Sequence, residues 1–192
     1  MAIDTSAGTS AAVLDGSKIL SLIGFDDPFG HAENIGLAIG SALESAGVTP
    51  GQLSGVAIGR GPAPYTGLRV GMAAGASFAA SLELPLYGVI TLDAVAHQHG
   101  DDHVVVVADA KRRELFVAAY ENGLRVFGPE VLDPAELYRF EGYQEIQSAC
   151  NAGLVGQFAA FALASGKDLT DTTALYLRSP DVSPSNGKRV SG

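Results

Sequence analysis

The segment Gly55-Val56-Ala57-Ile58-Gly59-Arg60-Gly61-Pro62-Ala63-Pro64-Tyr65-Thr66-Gly67-Leu68-Arg69 joins a short apolar run to a helical one, and its reading decides the fold. Val56, Ala57 and Ile58 between two glycines predict a short buried strand over Gly55–Gly59. The loop from Arg60 to Thr66 leads into a helix predicted over Gly67–Leu82. Pro85 then breaks the chain, Leu86–Ile90 reads as another strand, and Leu92–Gln98 as another helix. Upstream, Met1–Asp4, Ser10–Leu14 and Ile19–Phe25 are apolar runs separated by turn residues, with Asp15-Gly16 as a hairpin signal. Between these and the strand at 55–59, Ile35, Ile39, Ala42, Leu43 and Ala46 mark one face of a helix over His31–Ala46. Gly47 closes that helix. The predicted order is three strands, helix, strand, helix, strand, helix. Hairpins followed by crossovers give a mixed α/β sheet with helices packed on it.

The second half is thinner. Val104–Ala108 reads as a buried strand, with Glu114–Tyr120 and Arg125–Phe127 as partners. Pro134–Tyr138 and Gly153–Ala164 read as helical. From Ser179 onward the apolar pattern is lost. The expected organisation is a fuller domain over 1–98, a smaller one over 99–178 and a flexible tail over 179–192.

The chain carries 12 Lys+Arg against 21 Asp+Glu, a formal net charge of −9, with 47% hydrophobic and 17% charged residues among its 192. This excludes wholesale disorder, and the acidic balance argues against a chain that grips nucleic acid by itself, as a free tRNA-binding module would. A local basic patch stays possible. Cys150 is the only cysteine, so a disulfide within the chain and a thiolate metal cluster are both excluded. The start lacks the charge and apolar core of a signal peptide, and no apolar run approaches the ~18 residues of a membrane span. A soluble cytoplasmic protein is the expectation. His31, His97, His99 and His103 are too scattered to predict a metal site, and no Gly-x-Ser-x-Gly nucleophile elbow occurs.

Four segments could carry chemistry. The loop of Arg60, Gly61, Pro62, Thr66 and Arg69 sits between strand and helix, where phosphate loops occur, but lacks a Walker or dinucleotide fingerprint. Its prolines make it rigid, fit either for recognition or as a stiff connector. In the helix after it, Gly67, Gly71, Gly75 and Ala79 recur every four residues, and Gly36 and Gly40 repeat the theme in the helix before. Each interior glycine costs about 1 kcal/mol relative to alanine. The compensation is close backbone approach, either on the chain's own sheet or on another subunit. Asp4-Thr5-Ser6 ends the first strand, as a nucleotide or magnesium contact or as a plain turn. Asp109-Ala110-Lys111-Arg112-Arg113-Glu114 holds three consecutive basic residues, a phosphate or RNA contact or a solvated turn.

Ala2–Ser6, the Gly59–Arg69 loop, Asp109–Phe116 and Tyr176-Leu177-Arg178-Ser179-Pro180-Asp181, in this order and separation, resemble the bacterial TsaB (YeaZ) family over nearly the whole chain. The resemblance implies an actin-like ATPase (ribonuclease-H-like) fold of two half-domains, the second reduced. It implies work on threonylcarbamoyladenosine next to the anticodon of tRNA, as a non-catalytic scaffold for a TsaD-like catalytic subunit joined by a TsaE-like ATPase. The chain would then meet tRNA only through the complex and pair with itself when alone. TsaD-like proteins hold a metal through two histidines four apart after the strand equivalent to Leu86–Val89. Here Ile90-Thr91-Leu92-Asp93-Ala94-Val95 carries neither, so no metal is expected. No cofactor is expected either, beyond weak nucleotide contact near Asp4, Thr5, Ser6, Asp109, Lys111, Arg112 and Arg113. The partner interface is expected on His31, Ile35, Gly36, Ile39, Gly40, Leu43, Gly67, Leu68, Gly71, Gly75 and Ala79. The competing class is an enzyme, either an ATPase or kinase of the same superfamily or a metallopeptidase-like protein.

Overall fold

The computed structural model describes residues 1–27, 30–100 and 103–178; the tail expected over 179–192 lies outside the described residues. The opening apolar runs form β1 (Ala2–Asp4), β2 (Thr9–Asp15) and β3 (Lys18–Phe25), an antiparallel ribbon in which Ile3 faces Ala11. β4 (Val56–Gly59) lies parallel to β1, and β5 (Leu86–Val89) parallel to β4, giving the order β3-β2-β1-β4-β5.

Strand alternation sorts this sheet into two unlike faces. Ile3, Val13 and Ile58 point to one side, where they pack with Ile35, Ala38 and Ala42 of α1 (His31–Ala46) and Ala79 of α2 (Tyr65–Ser81). Ala2, Ala12 and Ala57 point to the other and meet Ala152, Val155 and Ala159 of a late helix, Ala152–Ala164. Small side chains on the second face let that helix sink close: a Cβ on Gly156 would strike Leu14 and crowd Ala2.

α2 begins two residues earlier than expected because Pro64, at φ −56°, already presets the helical entry. A short helix, α3 (Thr91–Ala96), follows β5 and ends in a 3-10 turn over His97–His99. The late helix is therefore α4.

The second sheet contains β6 (Val104–Asp109), β7 (Leu115–Glu121), β8 (Leu124–Leu132) and β9 (Gln144–Gln147) in the order β8-β7-β6-β9. Val104 and Val106 pack toward α3, while Val105 and Val107 pack toward Phe140 of a 3-10 turn over Pro134–Phe140. β8 runs well past the expected Arg125–Phe127, and Pro129 fits within it because β8 is an edge strand. β9 has no sequence signal: Gln144-Glu145-Ile146-Gln147 holds one apolar residue, and its pairing with β6 creates the strand.

One expected boundary needs correction. Residues 99–178 do not form a self-contained unit, because α4 leaves the second sheet and returns to cover the open face of the first. The small-residue face of β1, β2 and β4 requires a lid, to which α3 contributes only Ala94 while α4 supplies Ala152, Val155 and Ala159.

Candidate functional site

The end of β1 is inside the molecule. Asp4 is 1% exposed, and its Oδ1 accepts from the Ser6 backbone N–H at 3.0 Å and the Ser6 hydroxyl at 2.6 Å. Its Oδ2 has no partner and faces Gly59, where any Cβ would collide with it. Burial raises the Asp4 carboxyl above its ordinary value. Thr5 is also buried and donates its hydroxyl to the Gly67 carbonyl at 2.8 Å. Asp4 and Thr5, expected as possible nucleotide or tRNA contacts, are thus committed to the interior; only half-buried Ser6 reaches a cavity.

That cavity lies between the two sheets, lined in part by Ser6, Pro62, Thr91, Asp109, Phe116 and Cys150. It measures about 40 Å³. A cavity of that size suits a water or two, against roughly 300–1,000 Å³ for small-molecule pockets. Burial pushes the Cys150 thiol well up, with the Asp4 charge adding to the effect, which disfavours the thiolate.

The glycine-stripe expectation divides. Gly67, Leu68, Gly71, Gly75 and Ala79 are buried beneath the chain's own first sheet. A Cβ at Gly71 would strike Thr5, one at Gly75 would strike Ile58, and one at Gly67 would crowd His31 and the Thr5 carbonyl. Internal packing accounts for these five residues, and they are removed from the expected interface. Ile35 is likewise in the core. His31 is half-buried, its Nδ1 hydrogen-bonded to the Thr9 hydroxyl at 2.9 Å. Gly36 and Gly40 are different: both are exposed, and a Cβ on either meets nothing within 4 Å. Beside them Leu37 is 60% exposed, with Ile39 and Leu43 half-buried. On α2 the outward residues after Arg69 are Ala73, Ala76, Ser77, Ala80 and Ser81, all uncharged.

The proline loop is held on both sides. The Arg60 N–H donates to Val89 O at 2.8 Å and the Thr91 N–H to Gly61 O at 2.9 Å, which pins the loop to β5 and α3; Gly61-Pro62 is cis. On the other side a C-terminal strap, residues 168–178, crosses it. The Leu175 N–H donates to Arg60 O at 2.8 Å, the Arg60 guanidinium donates to Thr173 O at 3.1 Å, and it pairs with Asp171 at 3.0 Å. The strap then turns onto the second sheet, where Arg178 donates to Ala110 O at 2.7 Å and pairs with Glu114 at 2.6 Å. Of the motif Tyr176–Asp181, which the resemblance left without a role, the described part Tyr176–Arg178 is the end of this strap. The available signal was the paired Asp-x-Thr turns, Asp168 to Thr170 and Asp171 to Thr173, in a segment without helix or strand.

Two groups are exposed along the strap. Arg69 lies 3.9 Å from the Tyr65 ring centroid and donates to the Tyr176 hydroxyl at 3.0 Å, with the two tyrosine rings 4.7 Å apart. Thr66 is exposed beside them, while Gly61 and Pro62 are buried. Lys111, Arg112 and Arg113 form the exposed turn between β6 and β7, all three in the left-handed region at φ 64°, 55° and 64°. That conformation costs an L-residue about 1–2 kcal/mol. Asp109 offsets part of the cost, accepting from the Lys111 N–H at 2.7 Å and pairing with its ammonium at 2.8 Å. The Lys111 bonds hold the Asp109 carboxyl below its ordinary value.

A five-stranded mixed sheet joined by crossover helices to a smaller second sheet, with a small cavity at the end of β1, defines an actin-like ATPase fold. A family model described as TsaD, tRNA N6-adenosine threonylcarbamoyltransferase, matches residues 29–176. An uncharacterized protein of Mycobacterium tuberculosis is 34% identical over 198 residues, covering 96% of this chain and 93% of that one. The Escherichia coli tRNA threonylcarbamoyladenosine biosynthesis protein TsaB is 32% identical over 104 residues, 50% of this chain and 45% of its own. A solved Pseudomonas aeruginosa protein, described as similar to the peptidase YeaZ, superposes with TM-score 0.76 at 23% identity, over 92% of this chain and 98% of that one. The chain belongs to the family that the TsaD-type model describes, and within it is similar to the TsaB (YeaZ) proteins.

Proposed function

We propose that the chain is a non-catalytic subunit of the machinery that builds threonylcarbamoyladenosine in tRNA, and that it docks a TsaD-like catalytic partner through the outer face of α1 and α2. The observation that carries this reading is the character of that face. Gly36 and Gly40 are helical, exposed and unexplained by internal packing, and they lie beside Leu37 at 60% exposure and an α2 whose outward residues after Arg69 are uncharged. Exposed interior helical glycines each cost about 1 kcal/mol, and close approach of a foreign backbone offsets it. The same face serves self-association when the partner is absent, because an apolar self-complementary patch closes readily around a two-fold axis. A TsaE-like ATPase joins the assembled pair. The family relationship supports the pathway, and the burial of Asp4 supports an accessory role over an ATPase or peptidase one.

The test is Gly40→Arg together with Ala76→Glu, both at exposed positions. Size-exclusion chromatography with a separately purified TsaD-type partner should show the complex lost and the free chain monomeric, with the melting temperature unchanged. A complex that survives both changes would place docking elsewhere.

A further inference from the structure

Among the described residues the chain passes between its two sheets where β5 leads into α3, where β9 leads into α4, and again in the strap. The first two passages supply Thr91, Ser148, Ala149 and Cys150 to the wall of the inter-sheet cavity. More of that wall comes from residues 62–64 of the proline loop and 108–109 at the end of β6. The strap ties these last two stretches together. Asp171, Thr173 and Leu175 bond it to Arg60, just before the loop's share of the wall. Arg178 bonds it to Ala110 O and Glu114, just after the share of β6. An apolar anchor sits at each end, Leu169 in the core between α4 and the first sheet, Leu177 in the core between α3 and the second. These fastenings are weak. The strap has no helix or strand, both anchors are half-buried, and the side chains of Asp171 and Glu114 are 58% and 38% exposed. Ion pairs open to water hold little and are screened by salt. A segment with few buried contacts opens at a fraction of the free energy of global unfolding.

We infer that the strap is a latch across the junction of the two sheets. When its Arg178 end lets go, the sheets part along the cavity, hinging on residues 89–91 and 148–151, and Ser6 and Cys150 meet solvent. Closed, the latch seals the inner end of β1, where Asp4 lies. Open, it gives a molecule from solution a path to that end. Helices α1 and α2 pack on the first sheet, so their outer face stays formed in both states. The latch is independent of the docking role.

Cys150 is the chain's only cysteine, so the opening has a built-in reporter. The full chain is treated with excess 4,4′-dithiodipyridine, an uncharged thiol reagent, and the rate of thiopyridone release is followed. The latch predicts a parent rate far below that of the urea-unfolded chain. Arg178→Ala should label about fivefold faster, and Asp171→Asn roughly two- to threefold faster, with melting temperatures close to the parent's. Raising sodium chloride from about 50 mM to about 500 mM should speed the parent and leave Arg178→Ala nearly unchanged. Urea below the unfolding transition should raise the rate with a much shallower slope than global unfolding has, because a parting junction exposes little surface. Moving the thiol across the cavity, with Ala108→Cys in a Cys150→Ala chain, separates parting of the sheets from fraying of 148–151. The same acceleration by Arg178→Ala is expected at both positions. A parent that labels as fast as the unfolded chain, an Arg178→Ala chain that labels like the parent, a urea slope equal to that of global unfolding, or acceleration at 150 without any at 108 overturns the latch. Because no partner subunit takes part, failure here leaves the docking reading intact.

Discussion

At the scale of single residues, glycines of the same spacing do opposite work. Gly71 and Gly40 each sit inside a helix, and sequence alone treats them alike. Against Gly71 lies Thr5, so Gly71→Leu forces the side chain into a filled space and should destabilise the chain by about 3 kcal/mol. Over Gly40 there is open space, so Gly40→Ala should stabilise it by about 0.5–1 kcal/mol through helix propensity. Urea denaturation of both variants checks the opposite signs. Asp4 gives a pH prediction. Its folded value lies above its unfolded one, so its contribution is most favourable below the ordinary carboxylate range and is lost as pH rises through the folded value. Asp4→Asn should therefore be more stable than the parent at pH 7, with the advantage shrinking toward pH 3; thermal melts across that range would show it.

At the scale of elements, legibility followed periodicity. The helix over His31–Ala46 was readable to the residue because its apolar face and its closing glycine agree. β9 was unreadable because nothing in Gln144–Gln147 distinguishes it from a loop until β6 lies beside it. The docking stripe was half legible: periodicity identifies a face but does not say which sheet or subunit covers it. The strap escaped because its bonds are made to residues more than a hundred positions away, such as Arg60 and Arg69. Arg178 is its fastening point. Arg178→Ala should speed backbone hydrogen exchange both in residues 168–178 and in the turn over 110–114, leaving α1 unaffected, as mass spectrometry of exchanged peptides would resolve.

At the scale of the whole molecule, the expected cut near residue 98 fails because of α4. Residues 1–98 expressed alone would leave Ala2, Ala12, Ala57 and Val89 open to water on one whole face of the sheet. That fragment should bind a hydrophobic dye and lack a cooperative melt, and adding residues through 164 should restore one. The actin-like plan itself was legible early, since the order of strands and helices in the first half follows from turns and apolar spacing alone. Its completion was not, because α4 is almost uniformly apolar and carries no stripe to say which surface it covers.

The position of α4 in the chain also sets an order of events during synthesis. The platform that presents α1 and α2 stays uncapped until residue 164 has cleared the ribosome, by which time all strands of the second sheet have been made. Helices α1 and α2 therefore emerge about a hundred residues before the helix that closes the opposite face of their sheet.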